Sequence, residues 1–249
     1  MGVVQRLTRY ALSATQPAAR WITRGPRSSR LVALTFDDGP HPEQTPRLLD
    51  LLGELRIPAT FFVVGSRAMA HPHLVKRMVR EGHTVANHTW FHYEPARLSP
   101  LALAAEVRET RSLLGDLTGR SINLFRPPKG ELTWAKIRTL WSLGQTIALW
   151  NVDPKDFAMP GLAAATAWEA TYPPRGGDVV LFHDTHPWAT GVLPQLAAKA
   201  RRRGLEFTTL ERWTTAQRST GQPVEPGRLA GTSSSEDEAL EPLESAVTS

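Results

Sequence analysis

The sequence predicts an α/β fold built on parallel strands. Three observations carry that expectation. Short apolar, β-favouring runs alternate with helical patterns from Leu31 to about residue 215, and strand–helix–strand connections pair strands in parallel. The 249 residues, 41% hydrophobic and 21% charged, suffice for a buried core and exclude a disordered or fibrous chain. Residues that carry chemistry follow the strands. Two architectures satisfy these constraints, an open doubly wound sheet and a β/α barrel. No Gly-rich phosphate loop follows the first strand, which argues against the nucleotide-binding version.

The elements read as follows. Leu31–Phe36 is an apolar strand ended by the turn signal Asp37-Asp38-Gly39-Pro40. Thr45-Pro46 offers an N-cap and a Pro at the first helical position, and Leu48, Leu49, Leu51, Leu52 and Leu55 follow at helical spacing. Thr60–Val64 is the second strand. Pro72–Glu81 is a helix stopped by Gly82, and Thr84–Ala86 is the third strand. Ser99-Pro100 opens a long helix whose Leu103, Val107, Leu113, Leu114 and Leu117 share one face, closed by Gly119. Leu124-Phe125 is a short strand, and Trp134–Leu143 a helix closed by Gly144. Ile147–Trp150, Val179–Phe182 and Glu206–Thr208 are three more strands, separated by helices around Ala163–Ala170 and Val192–Arg203.

Charge is concentrated at the two ends. Residues 1–30 hold six arginines and no acid, and residues 231–249 hold five acids and no base. The remainder is nearly balanced and has no basic stripe, which argues against nucleic acid as a partner. The Ser-, Thr-, Glu- and Pro-rich tail is expected to be disordered. Val3–Ala19 is compatible with a basic amphipathic helix on an anionic membrane surface, or with a solvated leader. It lacks the apolar stretch of a classical signal peptide, and Arg6 breaks a myristoylation pattern. The default expectation is therefore a cytoplasmic or membrane-peripheral protein. No run approaches the ~18 apolar residues of a spanning helix. The chain has no cysteine, so disulfides, thiolate nucleophiles and Cys-based metal sites are excluded.

In parallel β/α folds the active site lies at the C-terminal ends of the strands. Five strand ends carry polar groups here: Asp37 and Asp38, His88 and His92, Arg126, Asp153 and Asp156, and His183 and Asp184. His88 and His92 are four apart, so on a helical turn both reach one cation, and Asp38 supplies a third hard ligand. Two His and one carboxylate suit a catalytic divalent metal that activates water. Asp37 is then the candidate general base, with Arg126 holding it ionised. His183 is the candidate general acid, kept protonated by a neighbouring carboxylate.

Thr35-Phe-Asp-Asp-Gly-Pro40, His88-x₃-His92, Arg126-Pro-Pro-Lys-Gly130, Asp153-Pro-Lys-Asp156-Phe157 and Leu181-Phe-His183 occur in that order. The set resembles the polysaccharide deacetylase family, the NodB-homology domain of carbohydrate esterase family four. The resemblance implies a distorted parallel β/α barrel of about seven strands in a single domain. That domain spans 31–215, between a basic leader (1–30) and an acidic, disordered tail (216–249). It implies a divalent metal, commonly zinc, and hydrolysis of an N-acetyl group on an amino sugar of a glycan or glycoconjugate. It assigns Asp37 as base, Asp38, His88 and His92 as metal ligands, His183 as acid, Arg126 as the residue that positions the base, and Asp156, more than Asp153, as the carboxylate tuning His183. The Lys129 backbone N–H is implied as an oxyanion donor. Pro127, Lys129, Phe157 and Leu181 fall where substrate contacts are expected, and Trp188 is a candidate stacking residue. Two residues depart from the family pattern: Lys129 stands in place of an aromatic, and Phe157 in place of Trp. A cation at 129 would suit an anionic substrate. A related amidohydrolase or deformylase, acting on a lipid-linked sugar or a non-sugar amide, is the alternative. A non-catalytic glycan-binding relative is disfavoured, because no candidate catalytic or ligand residue is missing.

Overall fold

The computed structural model describes residues 20–26 and 28–213. The expected amphipathic leader segment and the acidic tail lie outside the described residues.

Eight strands form one parallel sheet: β1 (Trp21–Ile22), β2 (Leu31–Asp37), β3 (Thr60–Val63), β4 (Thr84–Asn87), β5 (Leu124–Phe125), β6 (Thr146–Ala148), β7 (Val179–His183) and β8 (Glu206–Thr208). Their order is β1-β6-β5-β4-β3-β2-β7, with β8 also on β2. After β6 the chain swings over to β7. A parallel bridge joins Val152 to Val180, and the Leu181 N–H donates to the Val152 carbonyl at 3.0 Å. That contact closes the sheet into a distorted barrel, so the doubly wound alternative is discarded.

Among the described residues seven helices surround it: α1 (Gln44–Glu54), α2 (Gly65–Ala70), α3 (Pro72–Arg80), α4 (Pro100–Thr118), α5 (Trp134–Ser142), α6 (Leu162–Thr171) and α7 (Trp188–Arg202). The long helix starts and stops where its sequence directs. The Ser99 hydroxyl accepts from the Ala102 N–H at 3.1 Å, and Gly119 takes the left-handed conformation that ends a helix at low steric cost.

Strand residues alternate between two cores. Val32, Leu34, Phe36, Phe61, Val63, Val85, Val180 and Phe182 point outward, under the helices. Ala33, Phe62, Ala86, Leu124, Ala148 and Val179 fill the interior. Because side chains repeat every two residues on a strand, the inward face of β2 continues to Thr35 and Asp37. That of β4 continues to His88, β5 to Arg126 and β7 to His183. The pleat that builds the core thus aims four polar residues at one mouth.

Several elements differ from expectation. The sheet takes in Trp21 and Ile22, both buried, ahead of the expected start at Leu31. Two residues are too few to show a period. α2 was not anticipated. α7 begins at Trp188 rather than near Val192, because Gly191 and Pro194, poor helix formers in sequence, are accommodated inside it. Gly191 is needed there: a Cβ would lie 2.2 Å from Leu162 Cδ1 of α6. Thr45 is not an N-cap but sits inside α1, and its hydroxyl is used elsewhere.

Candidate active site and metal centre

The turn after β2 carries the two adjacent carboxylates. Asp37, the last residue of the strand, is buried, and its Oδ1 accepts from Arg126 NH1 at 2.6 Å. Asp38 turns the other way because its backbone is left-handed (φ 74°). Arg126 is fully buried with every arm occupied: Nε to the Ala148 carbonyl (3.0 Å), NH1 to Thr35 Oγ1 (2.8 Å), and NH2 to the Leu149 carbonyl (2.9 Å). Its guanidinium stacks over the Phe62 ring at 3.9 Å. A cation so fixed holds the Asp37 carboxylate in one orientation.

Asp38 Oδ1 lies 3.4 Å from His88 Nε2 and 3.1 Å from His92 Nε2. The three donor atoms lie within 4.8 Å of one another. Ligand bonds of about 2.0–2.1 Å at tetrahedral angles place donors about 3.4 Å apart, so the triangle fits one ion. Two further observations support the fit. Asp38 Oδ1 is buried with no hydrogen-bond partner. His88 Nδ1 is 2.8 Å from the Arg126 carbonyl, which can only accept; the ring hydrogen therefore sits on Nδ1 and Nε2 presents its lone pair to the site. Burial opposes charge on Asp38, but without a metal, hydrogen bonds donated by the His88 and His92 rings outweigh it and hold the carboxyl well below the usual range, a role a bound cation would take over.

His88 and His92 do not share a helical turn, as the spacing suggested. They lie in a loop folded back on itself at two left-handed residues, Thr89 (φ 68°) and His92 (φ 60°). Of six non-glycine residues with positive φ among the described residues, five border the site: Asp38, Thr89, His92, Lys129 and Lys155. Each such residue costs of order 1–3 kcal/mol and persists only where surrounding contacts impose it. The contacts here are visible. The unanticipated α2 gives the amides of its first turn to the histidine loop, Gly65 N–H to the Thr89 carbonyl (2.9 Å) and Ser66 N–H to the Trp90 carbonyl (3.0 Å), while the preceding Val64 N–H bonds the Gly39 carbonyl in the carboxylate turn (2.9 Å). Glu106 on α4 accepts from the Trp90 and Phe91 amides, both at 2.9 Å. No sequence signal pointed to Glu106 or α2, since both act through the backbone of a distant loop.

His183 closes the other side. It is the register partner of Asp37 across the β2–β7 pair, so base and acid candidates are held on neighbouring strands. Asp156 grips it twice, Oδ1 to Nδ1 and Oδ2 to the backbone N–H, each at 2.7 Å. The remaining ring nitrogen, Nε2, is left for the cleft. Burial disfavours the imidazolium, but Asp156 outweighs burial, with help from Asp37 and Asp38, and raises the pKa to about 9. Asp153 only caps a turn, accepting from the Lys155 N–H at 2.9 Å. The next residue, Asp184, is buried. Its Oδ2 accepts from Thr45 Oγ1 at 2.5 Å, and burial raises its pKa to about 7. It fills the space against Gly39, where a Cβ would come within 1.9 Å of its carboxyl.

The remaining candidates divide. Phe157 is exposed and its ring meets the edge of His183 at 5.5 Å. Leu181 is buried one pleat below His183 on the same face. Pro127 is buried beneath the loop in which Lys129 adopts φ 57°. The Lys129 ammonium is paired with Glu94, which also meets Arg97 at 3.3 Å, so Lys129 is not a free cation aimed at the cleft, which weakens the argument for an anionic substrate. Trp188 packs against the main core, half-buried, rather than standing free to stack.

Residues 24–148 match the family model for polysaccharide deacetylases. The chain belongs to that family. It is 32% identical over 190 residues to a peptidoglycan N-acetylglucosamine deacetylase of Bacillus cereus, covering 74% of this chain and 88% of that protein. It is 40% identical over 163 residues to a chitooligosaccharide deacetylase of Bradyrhizobium, covering 64% and 73%. Among solved structures, the peptidoglycan deacetylase PdaC of Bacillus subtilis superposes with a TM-score of 0.69 at 29% identity, covering 78% of this chain and 96% of that one. A peptidoglycan N-acetylglucosamine deacetylase crystallised with an N-hydroxybenzamide superposes with a TM-score of 0.72 at 29% identity, covering 77% and 91%. The polysaccharide deacetylases are hydrolases of non-peptide C–N bonds, and no helix among the described residues is long and apolar enough to cross a membrane.

Proposed function

We propose that this protein removes N-acetyl groups from N-acetylglucosamine units of a glycan, with Asp37 as general base and His183 as general acid. One observation carries the reading. Asp37 and His183 lie side by side in register on β2 and β7, beside the Asp38–His88–His92 donor triangle. The names of the relatives support the amino-sugar substrate. The donor set of two imidazoles and one carboxylate supports zinc. A hydroxamate-type ligand in a related structure supports a transition metal as well, since hydroxamates chelate such ions.

A divalent cation held by Asp38, His88 and His92 supplies Lewis acidity, acidifying water and polarising the acetyl carbonyl. The side chains do the rest. Asp37, ionised and oriented by Arg126, takes the proton from the water whose oxygen adds to the carbonyl carbon. The Lys129 backbone N–H is the proposed donor to the developing oxyanion. His183 gives its Nε2 proton to the departing nitrogen as the C–N bond breaks. Acetate and the free amino sugar leave, and Asp156 keeps the imidazole in the correct tautomer throughout.

The test is acetate release from N-acetylglucosamine oligomers by zinc-loaded, chelated and Asp37→Asn protein. Release that needs both the metal and Asp37 supports the assignment. Equal release by Asp37→Asn would remove the base from its role, and none by folded, loaded wild type would move the activity to another N-acyl substrate.

A further inference from the structure

β1 and β7 are the two edges of the sheet, and no strand pairing joins them among the described residues. A cavity of about 830 Å³ opens at that seam, beside the starts of β7 and β8. It is remote from the catalytic mouth. The five residues of β7 separate Asp178, in the cavity wall, from the far end at His183, a rise of about 16 Å. Three separate segments each bring an arginine to it: Arg24 after β1, Arg175 between α6 and β7, and Arg203 just past α7. A fourth, Arg30, stands at the edge. Its guanidinium is 3.7 Å from where a Cβ on Gly204 would lie, and Gly204 joins the lining residues Arg203 and Leu205. Backbone bonds fix these segments: Gly25 N–H to the Gly177 carbonyl (2.8 Å), Gly177 N–H to Leu31 (2.9 Å) and Leu205 N–H to Ala200 (3.0 Å). The carboxylate in the wall, Asp178, is buried and already answered. Its Oδ1 accepts from Asn151 Nδ2 at 2.8 Å, and its Oδ2 from the Tyr172 hydroxyl at 2.6 Å and the Arg175 backbone N–H at 2.9 Å. The side chains of Arg175 and Arg203 are exposed and make no ion pair among the described residues. Burial, then Asp178, raises the Tyr172 pKa, and the Arg175 and Arg24 charges act against that rise, so both guanidinium fields reach the wall. Cations gathered around a cavity whose acid is saturated favour an anion there.

We propose that this seam cavity binds a phosphate ester, with Arg175 and Arg203 holding the phosphate and Pro173, Pro174 and Leu205 packing against the organic group. Guanidinium forks match phosphate oxygens in pairs. A tetrahedral phosphate accepts from arginines on several sides at once, whereas a carboxylate offers two oxygens in one plane. The volume lies in the range of ligand pockets and exceeds what a bare phosphate ion fills, so the anion carries an organic group. A soluble phosphorylated compound and an anionic phospholipid headgroup present the same chemistry. Neither arginine takes part in the deacetylation proposed above, and the site stands whether or not that reading does.

The experiment measures binding to zinc-loaded full-length protein in two arms. Calorimetry uses glycerol phosphate, and sedimentation uses phosphatidylglycerol vesicles against phosphatidylcholine vesicles. Each arm compares wild type with Arg175→Gln/Arg203→Gln and with Arg108→Gln/Arg138→Gln, which removes the same charge from exposed positions on α4 and α5. Thermal unfolding checks that every variant is folded. The Kd for glycerol phosphate is expected to rise roughly tenfold or more in the cavity variant and to stay within twofold in the control. Arginine-dependent binding of glycerol phosphate supports a soluble ligand. Arginine-dependent binding of phosphatidylglycerol vesicles without glycerol phosphate supports a headgroup. Binding that survives in the cavity variant belongs to another anion site, the metal centre or the basic leader included, and overturns the proposal. So does equal weakening by the control variant, which would assign the effect to net charge, and so does the absence of binding in both arms.

Discussion

Asp37 and His183 sit on adjacent strands, and each is held by an oppositely charged neighbour, yet the proposed roles are exchanged. On the Asp37 side the carboxylate reacts and the Arg126 guanidinium holds it. On the His183 side the imidazole reacts and the Asp156 carboxylate holds it. The difference lies in how each holder is itself satisfied. Arg126 is wholly buried, spends its other donors on the Ala148 and Leu149 carbonyls and Thr35, and has no freedom to move. Asp156, also buried, gives both oxygens to His183, with Oδ1 accepting from the Phe157 N–H as well, while the imidazole keeps one nitrogen open to a partly exposed cleft. A dry, saturated holder fixes a base. A bidentate holder that grips only one edge of a ring leaves the other edge free to give up a proton.

Four experiments break or sharpen this contrast. The largest effect is expected on the dry side. Arg126→Met removes a buried partner and leaves the Asp37 charge and the Ala148 and Leu149 carbonyls unanswered, so unfolding stability in urea should fall by about 3–5 kcal/mol. A loss below 1 kcal/mol would mean that water reaches this pair. Asp37→Asn keeps shape and one acceptor, and is expected to lower kcat by about 10²–10⁴-fold. Normal zinc content would show that the loss belongs to the base and not to the ligands.

On the acid side the effect is in pH dependence. The folded pKa of His183, about 9, lies above its ordinary 6.5. The stability this pairing adds is therefore fully present below pH 6.5 and is lost as pH rises through about 9. For the metal-free protein that amounts to about 3 kcal/mol. Asp156→Asn should flatten the decline in urea titrations at stepped pH. It should also pull the alkaline limb of the kcat/KM profile toward neutrality; an unmoved limb would assign it to another group. The smallest effect is expected at the rim. Lys129→Ala leaves an exposed pair with Glu94 unmade, so the Tm should stay put and the ratio of rates on neutral and anionic glycans should not change. A shift toward neutral substrates would restore the anionic-substrate argument.

Much of the site was legible because strand alternation and the position of the strand ends do most of the work. Asp37, His88, Arg126 and His183 each extend an inward-facing row, and short apolar strands followed by polar residues are visible in a linear sequence. The exceptions share a cause: they depend on partners remote in sequence. The spacing of His88 and His92 suggested a helical turn, but α2 and Glu106 impose a loop with two left-handed residues. Lys129 read as a free cation until Glu94, far earlier in the chain, was seen beside it. Trp188 was a candidate stacking residue, and nothing local announces that α7 starts there and packs it partly against the core. β1 is too short to carry a pattern at all.

The placement of the donor triangle has a consequence for the order in which the working parts come together. Asp38, His88 and His92 all follow β2 and β4, and β2, β3 and β4 are consecutive in the chain and adjacent in the sheet. Their meeting needs only local crossovers. The Asp37–His183 pair instead needs β2 to meet β7, a strand from the far end of the domain. Contacts between distant segments form later and more slowly than local ones. During synthesis, the proposed cation ligands therefore emerge well before His183, the proposed proton donor. On the proposed roles, hydrolytic competence arrives only with the closing of the barrel.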